Sequence, residues 1–288
     1  MNTRTRHLDH TEKTARIVSF FILLFFAVIF FIPLIWTLVS SFKVDTEVNT
    51  AGGFLLLPKT WTLSNYTEIL STSNRQTPVY LWLRNSIVVS GVHTALAVLI
   101  FTMSGYAYAK MKFKGRDFIF LTILFMSMFP QITNIIPLFR IMLTFGWLNG
   151  PLALIVPGLA GVMNIFLIRQ FMYGIPDSVL ESARLDGANE FAIFTRIIIP
   201  MSKPIMIVVG LFCFTANWND FLWPSIAINN IDRLTLTPGL QLAKGAYGIY
   251  MAKMSAFAMI AILPMALLYL LTQKYFVNGI SLQSGIKE

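Results

Sequence analysis

The residues able to do chemistry in this chain fall into two groups. The first is a run of small and charged residues, Glu181-Ser182-Ala183-Arg184-Leu185-Asp186-Gly187-Ala188. These types suit the gripping of a surface. The second is a set of amides, an acid and an indole inside long apolar stretches: Gln131, Asn134, Asn164, Asn217, Trp218, Asn219 and Asp220. Polar groups in such stretches face protein or a water-filled cavity. Two readings stay open for them, hydrogen bonding between helices and the lining of a path for a polar solute. The cluster Asn217 to Asp220 sits near one end of its apolar stretch and favours the second. No convergent set of His, Asp, Glu or Ser marks an enzyme. His7 and His10 lie in a polar tail, and His93 is alone in an apolar run, where a satisfied buried imidazole is expected. The single cysteine, Cys213, excludes an internal disulfide and a cysteine-rich metal site.

The elements that must position these groups are set by composition. Of 288 residues, 56% are hydrophobic and 12% charged, against about 25% charged in a soluble domain. Mean hydropathy is +0.69, which leaves no room for a large soluble domain. The fold class expected is an all-α membrane protein with six transmembrane helices, near 17–41, 82–109, 117–139, 150–172, 204–228 and 256–277. Each is long enough to cross roughly 30 Å of hydrocarbon. The first follows Arg4, Arg6, Lys13 and Arg16 and is expected to be a retained helix, since it runs on to about Phe42 without a small-residue cleavage site. Residues 1–16 then form a cytoplasmic tail and 17–288 the membrane domain.

The net charge of +9 reflects the excess of Lys and Arg on the cytoplasmic side of membrane proteins and not nucleic-acid binding. The tight cluster Lys110, Lys112, Lys114, Arg116 places the connection between the second and third spans there. Both termini and the Glu181 segment share that side. Two loops face out. One, about 42–81, carries a short interfacial helix from Leu63 to Leu70. The other, about 229–255, is polar and glycine-containing.

The connection between the fourth and fifth spans, about 174–204, is too long for a plain turn. Pro176 ends the preceding span. Ser178 and Glu181 have the spacing of a capping box, so a helix is expected to start there. Leu180, Ala183 and Arg184 share a face, and small Ala183 and Ala188 allow close approach. Gly187 suits a left-handed turn, and Asn189 can cap a second helix carrying Phe191, Phe194, Ile197 and Ile198 until Pro200. An amphipathic helix pair lying on the bilayer has the same pattern. Glu181, Asp186 and the glycine corner favour a protein partner instead.

The stretch Glu181 to Ala188, with Ile197, Pro200 and Pro204 downstream, resembles the coupling motif of binding-protein-dependent ABC importer permeases. That motif begins Glu-Ala-Ala, and Ser182 replaces its first alanine. Phe129-Pro130, Ile136-Pro137-Leu138-Phe139, Leu143, Gly146 and Asn149 look like the oligosaccharide (maltose-type) branch. So do Trp218-Asn219-Asp220-Phe221 and Gln273-Lys274-Tyr275-Phe276-Val277. The resemblance implies the type I importer permease architecture, in a bacterial inner membrane, with Glu181 to Ala188 docking on an ATP-binding subunit. It implies as partners a second homologous permease, a dimer of ATP-binding subunits, an extracytoplasmic sugar-binding protein, membrane lipid and a sugar. No cofactor is expected on this chain. It has no G-x-x-x-x-G-K-[ST] loop, so ATP and Mg belong to the partner ATPase. A permease for another solute, or a secondary transporter, remains the alternative. Against the latter, the spans hold almost no charge.

Overall fold

The computed structural model describes residues 10–49, 57–72, 75–248 and 250–284. The tail residues Arg4, Arg6 and His7, and Lys287, lie outside them. Among the described residues every regular element is helical. In order these are α1 (His10–Ser40), α2 (Asp45–Asn49), α3 (Ser64–Ile69), α4 (Val79–Lys110), α5 (Arg116–Met126), a 3-10 turn (Gln131–Asn134), α6 (Ile135–Thr144), α7 (Leu152–Ile155), α8 (Val162–Tyr173), α9 (Asp177–Leu185), α10 (Glu190–Ile193), a π turn (Phe194–Ile198), α11 (Ile199–Trp218), α12 (Leu222–Ala227), a second 3-10 turn (Ile231–Arg233), α13 (Leu236–Tyr247) and α14 (Met251–Ser284).

Four continuous stretches are long and apolar enough to cross a membrane: Thr14–Ser40, Val79–Lys110, Glu190–Trp218 and Met251–Tyr275. The two stretches expected near 117–139 and 150–172 are not continuous helices. The first of them is bent by 90° between Arg116–Met126 and Gln131–Thr144, because Pro130 has no N–H to continue the ladder and biases the residue before it away from helix. The stretch 150–172 is interrupted between α7 and α8, where Pro157 and the positive-φ Gly158 (φ 89°) stand. The helix expected near 204–228 ends at Trp218, and the one expected near 256–277 runs from Met251 to Ser284. Much of the polar loop expected over 229–255 is helical, in the second 3-10 turn, α13 and the start of α14.

The chain divides into two units, residues 1–68 with 247–260 and residues 69–246 with 261–288. In the first, side chains 14–36 of α1 are all exposed. A helix apolar on every side with no burial in its own chain is solvated by hydrocarbon. The turn after it is pinned by Asn65, whose Nδ2 donates to the carbonyls of Ser41 (2.9 Å) and Lys43 (2.8 Å). Asp45 accepts from the Ala252 N–H at 2.9 Å, satisfying one free donor at the start of α14.

The second unit is built on α4, α8 and α11, which pack on one another. Their shared core holds Ala97, Phe101, Ile168, Met172, Val209 and Cys213. The same core continues into Ile175, Leu180, Ile193, Phe194 and Ile198, so the segment after α8 is part of the bundle and not an appendage. At the far end of α4, the Trp82 indole donates to Ile231 O at 2.7 Å. A Cβ on Gly239 would fall 2.3 Å from that ring, so only glycine lets α13 lie so close to α4.

Candidate functional site: a docked helical corner and an amide-lined cavity

The corner is built from α9, its exit turn and α10. Pro176 takes an extended conformation (ψ 131°) at the N-cap, and α9 begins at Asp177. The capping box expected at Ser178 and Glu181 is not formed. Proline fixes the entry two residues early, so Ser178 already lies inside the first turn, and no side chain caps the helix. Asp177 in that turn suits the positive end of the helix dipole. The exit is a Schellman turn. Ala188 N–H bonds to Ala183 O and Gly187 N–H to Arg184 O, each at 3.0 Å, with Gly187 at φ 85°. Asn189 then caps α10, its Oδ1 accepting from Ala192 N at 2.8 Å. The second helix does not end at Pro200. The π turn over 194–198 carries the chain past the proline, whose ring clashes with a carbonyl in regular α geometry, and α10 runs on into α11.

One face of the corner is bonded to the bundle. Leu180 is buried, and Ala183 and Ala188 pack against the same core, so these small residues serve approach to the chain's own spans. The Arg184 Nε donates to Glu190 Oε1 at 2.9 Å, across the glycine, and Tyr106 of α4 donates to the other oxygen of Glu190. Lys110, at the end of α4, donates to Ile175 O and to Asp177 Oδ1, both at 2.6 Å. That ammonium holds the Asp177 carboxyl below the usual carboxylate range. The opposite face is open. Glu181, Ser182, Asp186 and Gly187 are exposed, and Leu185 is 89% and Phe191 75% exposed. An apolar pair so exposed, held on a rigid turn, has the form of a docking knob.

The cavity lies along the helix breaks. Its volume is about 450 Å³, and Gln131, Asn134, Asn217 and Asp220 line it with Leu154 and Trp223. Gln131 and Asn134, from the bend of the third span, make no side-chain hydrogen bond among the described residues. Asn217 is partly committed, accepting from Ser90 Oγ at 3.0 Å. Asp220 accepts from Trp223 N at 3.3 Å. The Trp223 indole is fixed by a 2.7 Å bond to Ala153 O. Uncommitted amides beside a fixed aromatic ring can bind a polyhydroxylated solute, with hydrogen bonds on one side and ring contact on the other.

Corner and cavity both fall within residues 101–281, the stretch matched by the family described as binding-protein-dependent transport system inner membrane component. The chain belongs to that family. It is 33% identical to the arabinooligosaccharides transport system permease protein AraQ of Halalkalibacterium halodurans over 96% of this chain and 99% of that one. It is 32% identical to the trehalose/maltose transport system permease protein MalG of Thermococcus litoralis, over 94% of this chain and 96% of that one. Its fold is like that of a chain in the crystal structure of a bacterial ABC transporter involved in the import of the acidic polysaccharide alginate. The TM-score is 0.80 at 24% identity, covering 94% of this chain and all of the other.

In this permease, three of the seven polar candidates, Asn164, Trp218 and Asn219, do not line that cavity. Trp218 and Asn219 line a separate cavity of about 600 Å³ with Thr237 and Tyr269. Trp218 is buried, donates to Ala261 O at 3.3 Å, and its carbonyl accepts from Thr237 Oγ1. Asn164 donates to Cys213 Sγ at 3.6 Å, between helices. His93 is buried, with Nδ1 2.7 Å from Ile155 O at the break after α7. Sequence reasoning missed Tyr106, Lys110 and Glu190 at the corner and Trp223 at the cavity. Lys110 was legible only as the first member of a basic cluster. Glu190 stands in the first turn of a helix with an asparagine cap, a visible signal of local structure but not of its partner across the turn.

Proposed function

We propose that this permease is one of two homologous membrane subunits of an ATP-driven importer and forms part of the pathway for a sugar or oligosaccharide. The observation that carries this reading is the corner. A helix that exposes Leu185 while its other face is bonded to α4, α8 and α11 transmits a push on its tip to the bundle. Relatives matched over nearly their whole length are permeases of oligosaccharide and disaccharide transport systems, and the amide-lined cavity suits such a solute. With the bent pair 116–144 and the interrupted stretch 150–173 each counted once, the chain has six spans and both termini on one side.

The Lys and Arg distribution supports a cytoplasmic placement for the termini and the corner. Glu181, Ser182, Leu185 and Asp186 then face the ATP-binding subunits, which carry ATP and Mg. Arg184, Gly187, Ala183 and Ala188 set the aim of that helix. Nucleotide-driven closure of the ATP-binding subunits would switch the spans between two packings. A sugar-binding protein delivers solute at the opposite side, where loops 42–81 and 229–255 lie. The test is uptake by proteoliposomes holding the permease pair, its ATP-binding subunits and its binding protein, with a panel of radiolabelled oligosaccharides, amino acids and peptides. ATP-dependent accumulation of at least one is expected. Accumulation of an amino acid or peptide instead of any saccharide would contradict the reading.

A further inference from the structure

A third cavity, of about 370 Å³, opens at the end of α4 away from the corner. Arg84 and Arg233 both line it, with Asn85, Val88, Val89 and Leu154. On α4, Arg84 stands about 39 Å from Lys110 along the axis, at 1.5 Å per residue. The Arg84 side chain makes no hydrogen bond or ion pair with the described residues. Arg233 is aimed by a single 2.6 Å bond from Nη1 to Asn149 O, which leaves the rest of its guanidinium fork uncommitted. No carboxylate lines the cavity. Neighbouring Asp232 is tied through its backbone, donating to Asn230 Oδ1 and accepting from Asn85 Nδ2.

The support under Arg233 is built. Asn149 is the one non-glycine residue with positive φ (60°) among those described. Its Oδ1 accepts from the N–H groups of Asn229 (2.6 Å) and Asn230 (3.2 Å). The left-handed backbone and two amide bonds fix the carbonyl that orients the guanidinium. Two cations facing one cavity with apolar walls repel, and a carboxylate between them removes that cost while meeting both forks. Leu154 lines this cavity and the amide-lined one alike, so the two are adjoining rooms.

We infer that Arg84 and Arg233 form a subsite for the carboxylate of an acidic saccharide whose neutral rings lie along Gln131, Asn134 and Trp223. The inference rests on the reading of the amide-lined cavity as a sugar path. It is tested on the permease pair with its ATP-binding subunits in nanodiscs, without binding protein, by calorimetric titration. The probes are a hexose trisaccharide and the same trisaccharide with its terminal ring oxidised to a uronic acid. The acidic form should bind about tenfold tighter or more, as expected for charge-assisted bonds. Arg84→Gln and Arg233→Gln should each remove most of that advantage and leave the neutral form unchanged. Arg233→Lys, which keeps the charge but loses the fork, should restore part of it.

Equal binding of both forms by the unmodified complex would overturn the subsite while leaving the sugar path standing. Binding of neither form would remove both. A separate titration of the same nanodiscs with the sugar-binding protein covers the other use of the arginines: if the variants keep the preference for the acidic saccharide and lose affinity for that protein, the arginines are a docking surface for an acidic protein face, and the subsite is wrong.

Discussion

The corner and the cavity are built on opposite plans. The corner comes from one short stretch of chain, 176–199, whose turns are fixed by local rules and whose inner face then finds the bundle. The cavity draws on residues 131 to 223 and exists because three helical stretches break there. A site encoded locally should fail by misaim when one residue changes, with the membrane core intact. A site made by packing should fail when the elements that hold the breaks are forced apart.

The largest effect is expected at Gly239. A leucine there puts its Cβ 2.3 Å from the Trp82 ring, whose indole is also held by Ile231. Overpacking typically costs about 1–3 kcal/mol, and the fixed ring places this case at the upper end. Gly239→Leu should lower the thermal unfolding midpoint of the purified complex and abolish uptake together. An unchanged midpoint would mean that α13 is not held against α4. Gly187→Val is next. No atom lies within 4 Å of a Cβ at Gly187, so the cost is backbone strain alone, about 1–2 kcal/mol. Membrane insertion and pairing with the second permease should survive, while uptake per ATP hydrolysed falls several-fold. Loss of insertion would place Gly187 in span packing instead.

Lys110 and Asp177 sharpen the contrast from inside the corner. The Lys110 side chain is 5% exposed and that of Asp177 73%. Lys110→Met leaves Ile175 O without its donor and should destabilise by about 1–3 kcal/mol. Asp177→Asn should change stability by no more than about 1 kcal/mol, since the ion pair is exposed on its acid side. The sign of the pH effect follows from the depressed carboxyl. Its contribution is present above the unfolded pKa of about 3.9 and is lost as pH falls through the lower folded value. Unfolding midpoints of the unmodified permease and Asp177→Asn should therefore differ by a constant amount from pH 8 to 5 and converge below about pH 4. The smallest effect belongs to Ser178→Ala, within about 0.5 kcal/mol, because its hydroxyl caps nothing. A loss near 1 kcal/mol, the usual worth of a cap, would restore the capping box.

This contrast also explains what could be read from the sequence. Gly187 and Asn189 announced their turn and cap because both act within a few residues. The capping box was misread because Pro176 outranks Ser178 in setting the helix start, and both lie in the same four-residue window. The bent third span was not legible. Pro130 marked a breakable point, but proline is tolerated inside α1 at Pro33, α11 at Pro204 and α14 at Pro264, so its presence does not say which helix bends. Composition hid α13, since its glycine and polar residues resemble a loop until Trp82 supplies the surface that Gly239 fits. Of the path candidates, Gln131, Asn134, Asn217 and Asp220 meet at one cavity. Trp218 and Asn219 adjoin them in sequence, but helical rotation turns them to another face.

The account depends most on the corner's open face meeting the ATP-binding subunits. Cysteine at Leu185, in a background with Cys213 replaced by serine, reports this through its rate of maleimide labelling in inside-out vesicles. Fast labelling is expected with the permease pair alone, and protection by an order of magnitude or so once the ATP-binding subunits are added. A rate that stays the same with and without those subunits would contradict the assignment of the corner as the coupling element.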